Sequence, residues 1–179
     1  YCEELLERYR DNEKIAMISG CNLVSSDIDI KQSYFFSRYA HIWGWATWRR
    51  AWKHYDVNMK DWPLFRDKGE LNALAGRDFG FKDFWETNLN DTYNGKTNTW
   101  DYQLAFACWK MKALCIIPAF NQTFNLGFGK DATHTTSDAP DYVLKSIPKK
   151  LNFPLIHPET IERNKAADLL IHKKAFGVS

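Results

Sequence analysis

The stretch TWDYQLAFACWKMKALCIIP, residues 99–118, decides the fold class, because it holds a helix and a buried strand in direct succession. Apolar residues recur at helical spacing from Leu104 to Trp109, and Asp101 stands where the N-terminus of a helix is expected. The run LCIIP that follows is continuously apolar, which is typical of a strand covered on both faces. The stretch therefore favours an α/β fold, a mixed sheet flanked by helices.

Working outward, the same patterns predict further elements on both sides of this stretch. Helices are expected at 2–11, 46–55 and 79–93, with one or two short helices between 61 and 75 and a last helix at 159–174. Strands are expected at 14–20 (KIAMISG) and 33–37 (SYFFS). From residue 137 onward prolines divide the chain into extended pieces. We therefore expect a main unit over 1–135 and an extended C-terminal tail with one helix over 136–179.

Composition excludes several classes of protein. The 179 residues suffice for one well-buried domain, and 24 basic against 22 acidic side chains leave a net charge of +2 with no dense basic block, so nucleic acid is not an expected partner. A transmembrane helix needs roughly 18 consecutive apolar residues, and no such run occurs. The four cysteines lack the close pairing of zinc or redox motifs, and we expect reduced, mostly buried thiols.

Residues 42–52, IWGWATWRRAW, contain four of the eight tryptophans of the chain. Trp48 and Trp52 fit the aromatic face of a helix, where core packing is the simpler interpretation. Trp43 and Trp45 precede that helix and enclose Gly44, whose backbone can turn or approach a bound ring closely. The pattern leaves open a packed core and a stacking platform for sugar rings.

Asp101 has two compatible interpretations. An aspartate at the start of a helix accepts backbone N–H bonds and complements the helix dipole. A carboxylate at the edge of a pocket can also take a proton from a hydroxyl group, and the neighbouring Trp100 could fix the geometry by stacking.

The run NLGFGKDATHT, residues 125–135, is a glycine-punctuated loop that could approach a diphosphate. Backbone N–H groups around Gly127 and Gly129 would face the phosphates, and Lys130 would supply positive charge. His134 is a candidate metal ligand, although an ordinary surface histidine is the simpler interpretation because no second histidine lies at ligand spacing.

Taken in order, the motifs YCEELLERYRD, ISG, WGWATWRRAW, TWDYQ and GFGKDATHT resemble the C-terminal half of a bacterial nucleotide-diphospho-sugar transferase of the GT-A type, in the subgroup labelled hemolytic-protein-like. The resemblance covers residues 1–135. It implies a preceding nucleotide-binding half, absent from this sequence, whose acidic motif would hold most of the ligands of an Mn or Mg ion. The chain alone is then expected to be inactive.

The resemblance also implies roles for particular residues. Asp101 would be the general base of an inverting enzyme, and the acceptor would be held by Trp43, Gly44, Trp45 and Trp100. Gly127, Gly129 and Lys130 would bind the nucleotide-sugar donor, with His134 near the metal.

The expected reaction moves a sugar to a hydroxyl acceptor during synthesis of a bacterial surface glycan, in the cytoplasm or at the periphery of the inner membrane. A non-catalytic carbohydrate-binding module is the alternative, since the same tryptophans could stack sugars without breaking a bond. Self-association through an unpaired strand edge is a further expectation.

Overall fold

The computed structural model describes residues 1–76, 78–128 and 139–176. The elements in these ranges run in the order α1 (Cys2–Arg8), β1 (Ile15–Ile18), β2 (Tyr34–Ser37), β3 (Ala46–Thr47), α2 (Arg49–Trp52), α3 (Trp62–Asp67), α4 (Glu70–Ala75), α5 (Phe79–Tyr93), α6 (Asp101–Lys110), β4 (Leu114–Pro118), α7 (Asp141–Lys145) and α8 (Lys165–Ala175). The predicted α/β class is confirmed.

The four strands form one mixed sheet in the order β2-β4-β1-β3. The central strands β1 and β4 are parallel, with Ile18 paired with Ile116. The outer strands β2 and β3 are antiparallel to their neighbours. Because the central strands are parallel, their carboxyl ends meet at one edge of the sheet.

Helices cover both faces of this sheet. Side chains alternate along β2, so that Tyr34 and Phe36 join a cluster with Leu5 of α1. Phe35 points to the other face and belongs to the larger cluster built on α3, α4, α5, α6 and α8. The alternation follows from the two-residue period of a strand.

The helix predicted over 46–55 is shorter than expected, and its first residues form an edge strand instead. Ala46 and Thr47 pair with β1, and the Thr47 hydroxyl donates to the carbonyl of Ala16 at 2.6 Å. Trp48 remains extended, and the helix starts only at Arg49. Pairing with the sheet therefore overrides the helical periodicity of this segment.

The helical spacing of residues 46–55 predicts Arg50 on the solvated face of a helix, whereas the structure half-buries it. Its guanidinium donates to the carbonyls of Arg10 at 2.7 Å and of Tyr9 and Ile15 at 2.8 Å each. It also lies over the ring of Trp48, 4.4 Å from the centroid. Arg50 thus ties α2 to the turn between α1 and β1.

The C-terminal segment has two helices, α7 and α8, where the sequence predicts one. Ala167 and Ile171 of α8 are buried in the larger core cluster. Asp168 is fully buried and accepts hydrogen bonds from the Ser37 hydroxyl at 2.5 Å and from Arg163. Helix α8 therefore packs as part of the core, whereas α7 has no buried residue.

Cys21, Cys108 and Cys115 are buried, as predicted, and within the described residues no disulfide joins the four cysteines. Within residues 1–76, 78–128 and 139–176, no helix has the length and apolar character needed to cross a bilayer.

Candidate functional site

The candidate site lies at the edge where β1 and β4 end. Helix α6 leads into β4 through a tight turn, in which the Ala113 N–H donates to the carbonyl of Cys108 at 3.0 Å, so helix and strand run in opposite directions. The start of α6, with Asp101, therefore lies at the carboxyl edge of the sheet. In open α/β sheets this edge is the usual place for ligands.

Gly44 forms a tight turn against this edge. Its φ of +60° lies in the left-handed region, and a Cβ built there would stand 2.4 Å from the Cγ2 methyl of Thr123. At Gly20, two residues after the end of β1, a Cβ would stand 2.7 Å from the carbonyl oxygen of Gly44. Backbone contact therefore fixes the turn against the end of β1, and neither position has room for a larger residue.

Four aromatic rings form a row that starts from this turn. The ring centroids of Trp45 and Trp100 lie 5.5 Å apart at 31°. Trp45 and Trp52 are separated by 5.8 Å, and Trp52 stacks on Tyr55 at 4.6 Å and 5°. Trp100, at one end of the row, is 40% exposed and Trp52 is 43% exposed, so both rings offer surface to a ligand, and Trp100 directly precedes Asp101 in the chain.

Asp101 is the first residue of α6, one position inside the cap site that Trp100 occupies. Its Oδ1 accepts hydrogen bonds from the Thr99 hydroxyl and, at 3.0 Å, from the backbone N–H of Tyr102. Within the described part of the chain no hydrogen bond to Oδ2 is recorded. One carboxylate oxygen is thus fixed by its neighbours, and the other is available to a ligand.

The field of this carboxylate reaches two phenols beside it. Burial raises the pKa of Tyr102, and the negative charge of Asp101 raises it further. Burial likewise raises the pKa of Tyr55, followed by the charges of Asp101 and Asp56. Both phenols are therefore neutral at pH 7 and can donate hydrogen bonds.

Trp43 lies on the other side of the Gly44 turn. Its ring contacts Phe128 edge-on at a centroid distance of 6.2 Å and lines a cavity of about 120 Å³ together with Phe124, Leu144 and Ser146. Trp43 and Trp45, expected to hold one acceptor ring together, thus face two different neighbourhoods.

The predicted donor loop begins next to Trp43. Gly127 is exposed, and its N–H donates to the side-chain oxygen of Asn125 at 2.8 Å. Gly129, Lys130 and His134 lie outside the described residues. The described residues contain no group of three or more His, Cys, Asp or Glu side chains arranged to hold a metal ion.

Several residues of this edge escaped the sequence-based prediction. Thr99 orients Asp101, Tyr55 extends the aromatic row, and Gly20 and Thr123 fix the turn. The TWD spacing could have indicated Thr99, because a hydroxyl two residues from an aspartate can bond to it. Thr123 and Gly20 carry no such signal, because their contacts are made across more than 20 residues of chain.

No family model, curated protein or solved structure matches the chain.

Proposed function

We propose that this chain forms the acceptor side of a glycosyltransferase of the GT-A type, which moves a sugar from a nucleotide-sugar donor to a hydroxyl acceptor in the synthesis of a bacterial surface glycan. The observation that carries the proposal is the carboxylate of Asp101 beside the exposed ring of Trp100, with Oδ1 hydrogen-bonded to described neighbours and Oδ2 not. A general base needs a free acceptor atom close to the bound hydroxyl. An indole plane next to it can bind the apolar face of a sugar.

In this proposal Trp100 and Trp45 hold the acceptor ring, and Oδ2 of Asp101 takes the proton of the attacking hydroxyl. The acceptor oxygen then bonds to the anomeric carbon of the donor sugar as its bond to the diphosphate breaks. Trp43 and its neighbour Phe128 lie on the opposite side of the Gly44 turn, where the donor would bind. The turn would thus separate an acceptor side from a donor side.

The divalent metal ion that the resemblance implies would offset the charge that grows on the leaving diphosphate. The described residues do not form a metal site by themselves. In the proposal its ligands come mostly from a nucleotide-binding half outside this sequence, so transfer is a property of a longer protein.

The test uses Asp101→Asn in a protein that includes the nucleotide-binding half. Asparagine keeps a side-chain oxygen for the bonds from Thr99 and Tyr102, so the free energy of unfolding should change by less than about 1 kcal/mol. Loss of a general base should slow transfer by roughly 10²- to 10⁴-fold. Acceptor affinity, measured by calorimetric titration, should stay within a few-fold of the wild type. Near-normal turnover of this variant would refute the assignment of the base.

A carbohydrate-binding module is the second candidate, and the exposure of Trp100 and Trp52, 40% and 43%, favours it as much as it favours the enzyme. A module binds glycans without nucleotide or metal, and Asp101→Asn would leave its function intact. Calorimetric titration of the chain with oligosaccharides, with and without a nucleoside diphosphate and Mn²⁺, separates the two. In both cases Trp100→Ala should weaken glycan binding, since one aromatic stacking contact is lost.

A further inference from the structure

Two segments of chain form an exposed surface next to the Trp43 cavity. We call it the apolar–basic surface and define it by Phe120, Phe124, Leu126, Leu144, Ile147, Lys149 and Lys150. The first three residues follow β4, and the other four lie on α7 and the extended chain after it.

Hydrogen bonds hold the two segments side by side. The Lys149 N–H donates to the carbonyl of Asn121 at 3.0 Å, and the Gln122 amide donates to the carbonyl of Lys149 at 2.7 Å. The Asn121 amide also donates to the carbonyl of Ser146. The ammonium group of Lys149 lies 5.7 Å from the ring centroid of Phe120. The two segments therefore lie side by side, with Lys149 next to Phe120 and with Phe124 and Leu144 lining the same cavity.

The apolar members of this surface are unusually exposed. Leu144, Ile147, Phe124 and Leu126 are 60%, 64%, 70% and 84% exposed. Isolated exposed apolar side chains are ordinary, whereas a contiguous group of them marks a surface that binds something.

The seven residues that define this surface carry only positive charge. No Asp or Glu occurs at 119–128 or at 142–158, while Lys145, Lys149 and Lys150 do. Lys145 is paired with Asp141 at 3.0 Å. No ion pair of Lys149 or Lys150 is recorded within the described residues, so their two charges stand beside the exposed apolar side chains.

We propose that the apolar–basic surface binds an anionic phospholipid bilayer. Lysines near such a bilayer are attracted by its negative surface potential, and exposed apolar side chains enter the boundary between headgroups and acyl chains. These groups lie on a short helix and extended segments, so the sequence contains no long amphipathic helix that would predict the surface. The charge complementarity distinguishes this partner from a neutral protein surface.

Bilayer binding has a consequence for the candidate site. Phe124 and Leu144 line the same cavity as Trp43, so a bound bilayer would lie beside that end of the site. In the proposed function this is the donor side of the Gly44 turn, so the bilayer would lie on the side away from the acceptor ring at Trp100. This consequence rests on the proposed function, whereas bilayer binding itself requires no sugar transfer.

Sedimentation with vesicles tests the proposal on the chain itself. The wild type should pellet with vesicles of phosphatidylcholine and phosphatidylglycerol at 7:3 in low salt, and not with pure phosphatidylcholine. The double variant Lys149→Gln/Lys150→Gln should partition roughly thirtyfold more weakly, since each lysine near an anionic surface contributes about a factor of five. The matched control changes Lys60 and Lys68 to Gln, two exposed lysines elsewhere that form no ion pair with another described residue, and should partition like the wild type.

The apolar part of the surface is tested by Leu126→Ser/Ile147→Ser. Partitioning of this variant should fall roughly tenfold, because two exposed apolar side chains no longer enter the bilayer. The control Leu64→Ser alters a side chain that is 57% exposed on α3 and should have no effect.

Three results would overturn the proposal. One is equal pelleting with neutral and anionic vesicles, or no pelleting with either. Another is a lysine double variant that partitions like its control. The third is that the protein does not bind vesicles but forms a dimer in sedimentation velocity, and that Leu126→Ser/Ile147→Ser dissociates this dimer. The surface would then join two copies of the chain. None of these measurements involves transfer, so they fail independently of the proposed function.

Discussion

Gly44→Ala should be among the most destabilising small substitutions in this chain. Two costs add at this position. A non-glycine residue in the left-handed region costs about 1–2 kcal/mol. The new Cβ would also stand 2.4 Å from the Cγ2 methyl of Thr123.

This contact should be strongly destabilising because the Thr123 methyl cannot move away from the new Cβ. Thr123 is β-branched, so its rotamers are few. The same methyl also lies 2.9 Å from where a Cβ of Gly20 would stand, so the end of β1 blocks one direction of retreat. Overpacking of this kind costs about 1–3 kcal/mol. We therefore expect Gly44→Ala to lower the free energy of unfolding by about 2–5 kcal/mol.

Gly95→Ala is the matched control. Gly95 has a φ of +73°, and nothing lies within 4 Å of its would-be Cβ, so this change should cost only the backbone term of about 1–2 kcal/mol. A second variant, Gly44→Ala/Thr123→Ser, removes the methyl and keeps the hydroxyl. It should regain the stability lost to the steric clash but not the stability lost to backbone strain. Urea unfolding followed by circular dichroism measures all three. If Gly44→Ala costs no more than Gly95→Ala, the tight approach described here is wrong.

Three further substitutions test other parts of the structure. Burial lowers the pKa of His41 to about 4, below its value near 6.5 in the unfolded chain, so the unfolded state binds the proton first as the pH falls. The free energy of unfolding should therefore fall by about 1.4 kcal/mol for each pH unit as the pH is lowered from 6.5 to 4. His41→Asn should flatten this dependence in urea unfolding at several pH values, and an unchanged slope would contradict the assignment. Asp168→Ala should cost about 3–5 kcal/mol because it leaves a buried charge network without its carboxylate, against less than about 1 kcal/mol for Asp67→Ala in an exposed pair. Arg50→Met should cost about 2–4 kcal/mol by leaving three carbonyls without their donor, whereas Arg49→Met, on the exposed side, should be nearly neutral in the same thermal or urea unfolding.

The elements that could be predicted from the sequence are those set by a long local pattern. Helix α5 and strand β4 have the predicted bounds, Phe79–Tyr93 and Leu114–Pro118. The Asn94-Gly95 pair ends the first, since Gly95 takes up a positive φ. Proline ends the second. In both cases residues next to each other in the sequence determine where the element ends.

The errors occur where a distant partner decides the structure. Ala46 and Thr47 have helical spacing, but the open edge of β1 offers hydrogen bonds that turn them into a strand. Arg50 has the appearance of a surface residue until the carbonyls of another segment surround it. Asp168 is buried only because Ser37 and Arg163 supply its hydrogen bonds. No local pattern contains these partners.

The candidate site combines both kinds of information. The order of helix and strand alone brings Asp101 to the carboxyl edge of the sheet, because α6 runs antiparallel to β4, so this part of the site followed from the sequence. The tryptophan that joins it did not follow, because the left-handed turn at Gly44 directs Trp45 toward Trp100 and Trp43 toward Phe128. That turn depends on close backbone contact with Gly20, far away in the chain. The carboxylate is therefore positioned by local structure and its aromatic neighbour by a tertiary contact, so a substitution that loosens the turn should disturb ring placement while leaving the helix that carries Asp101 in place.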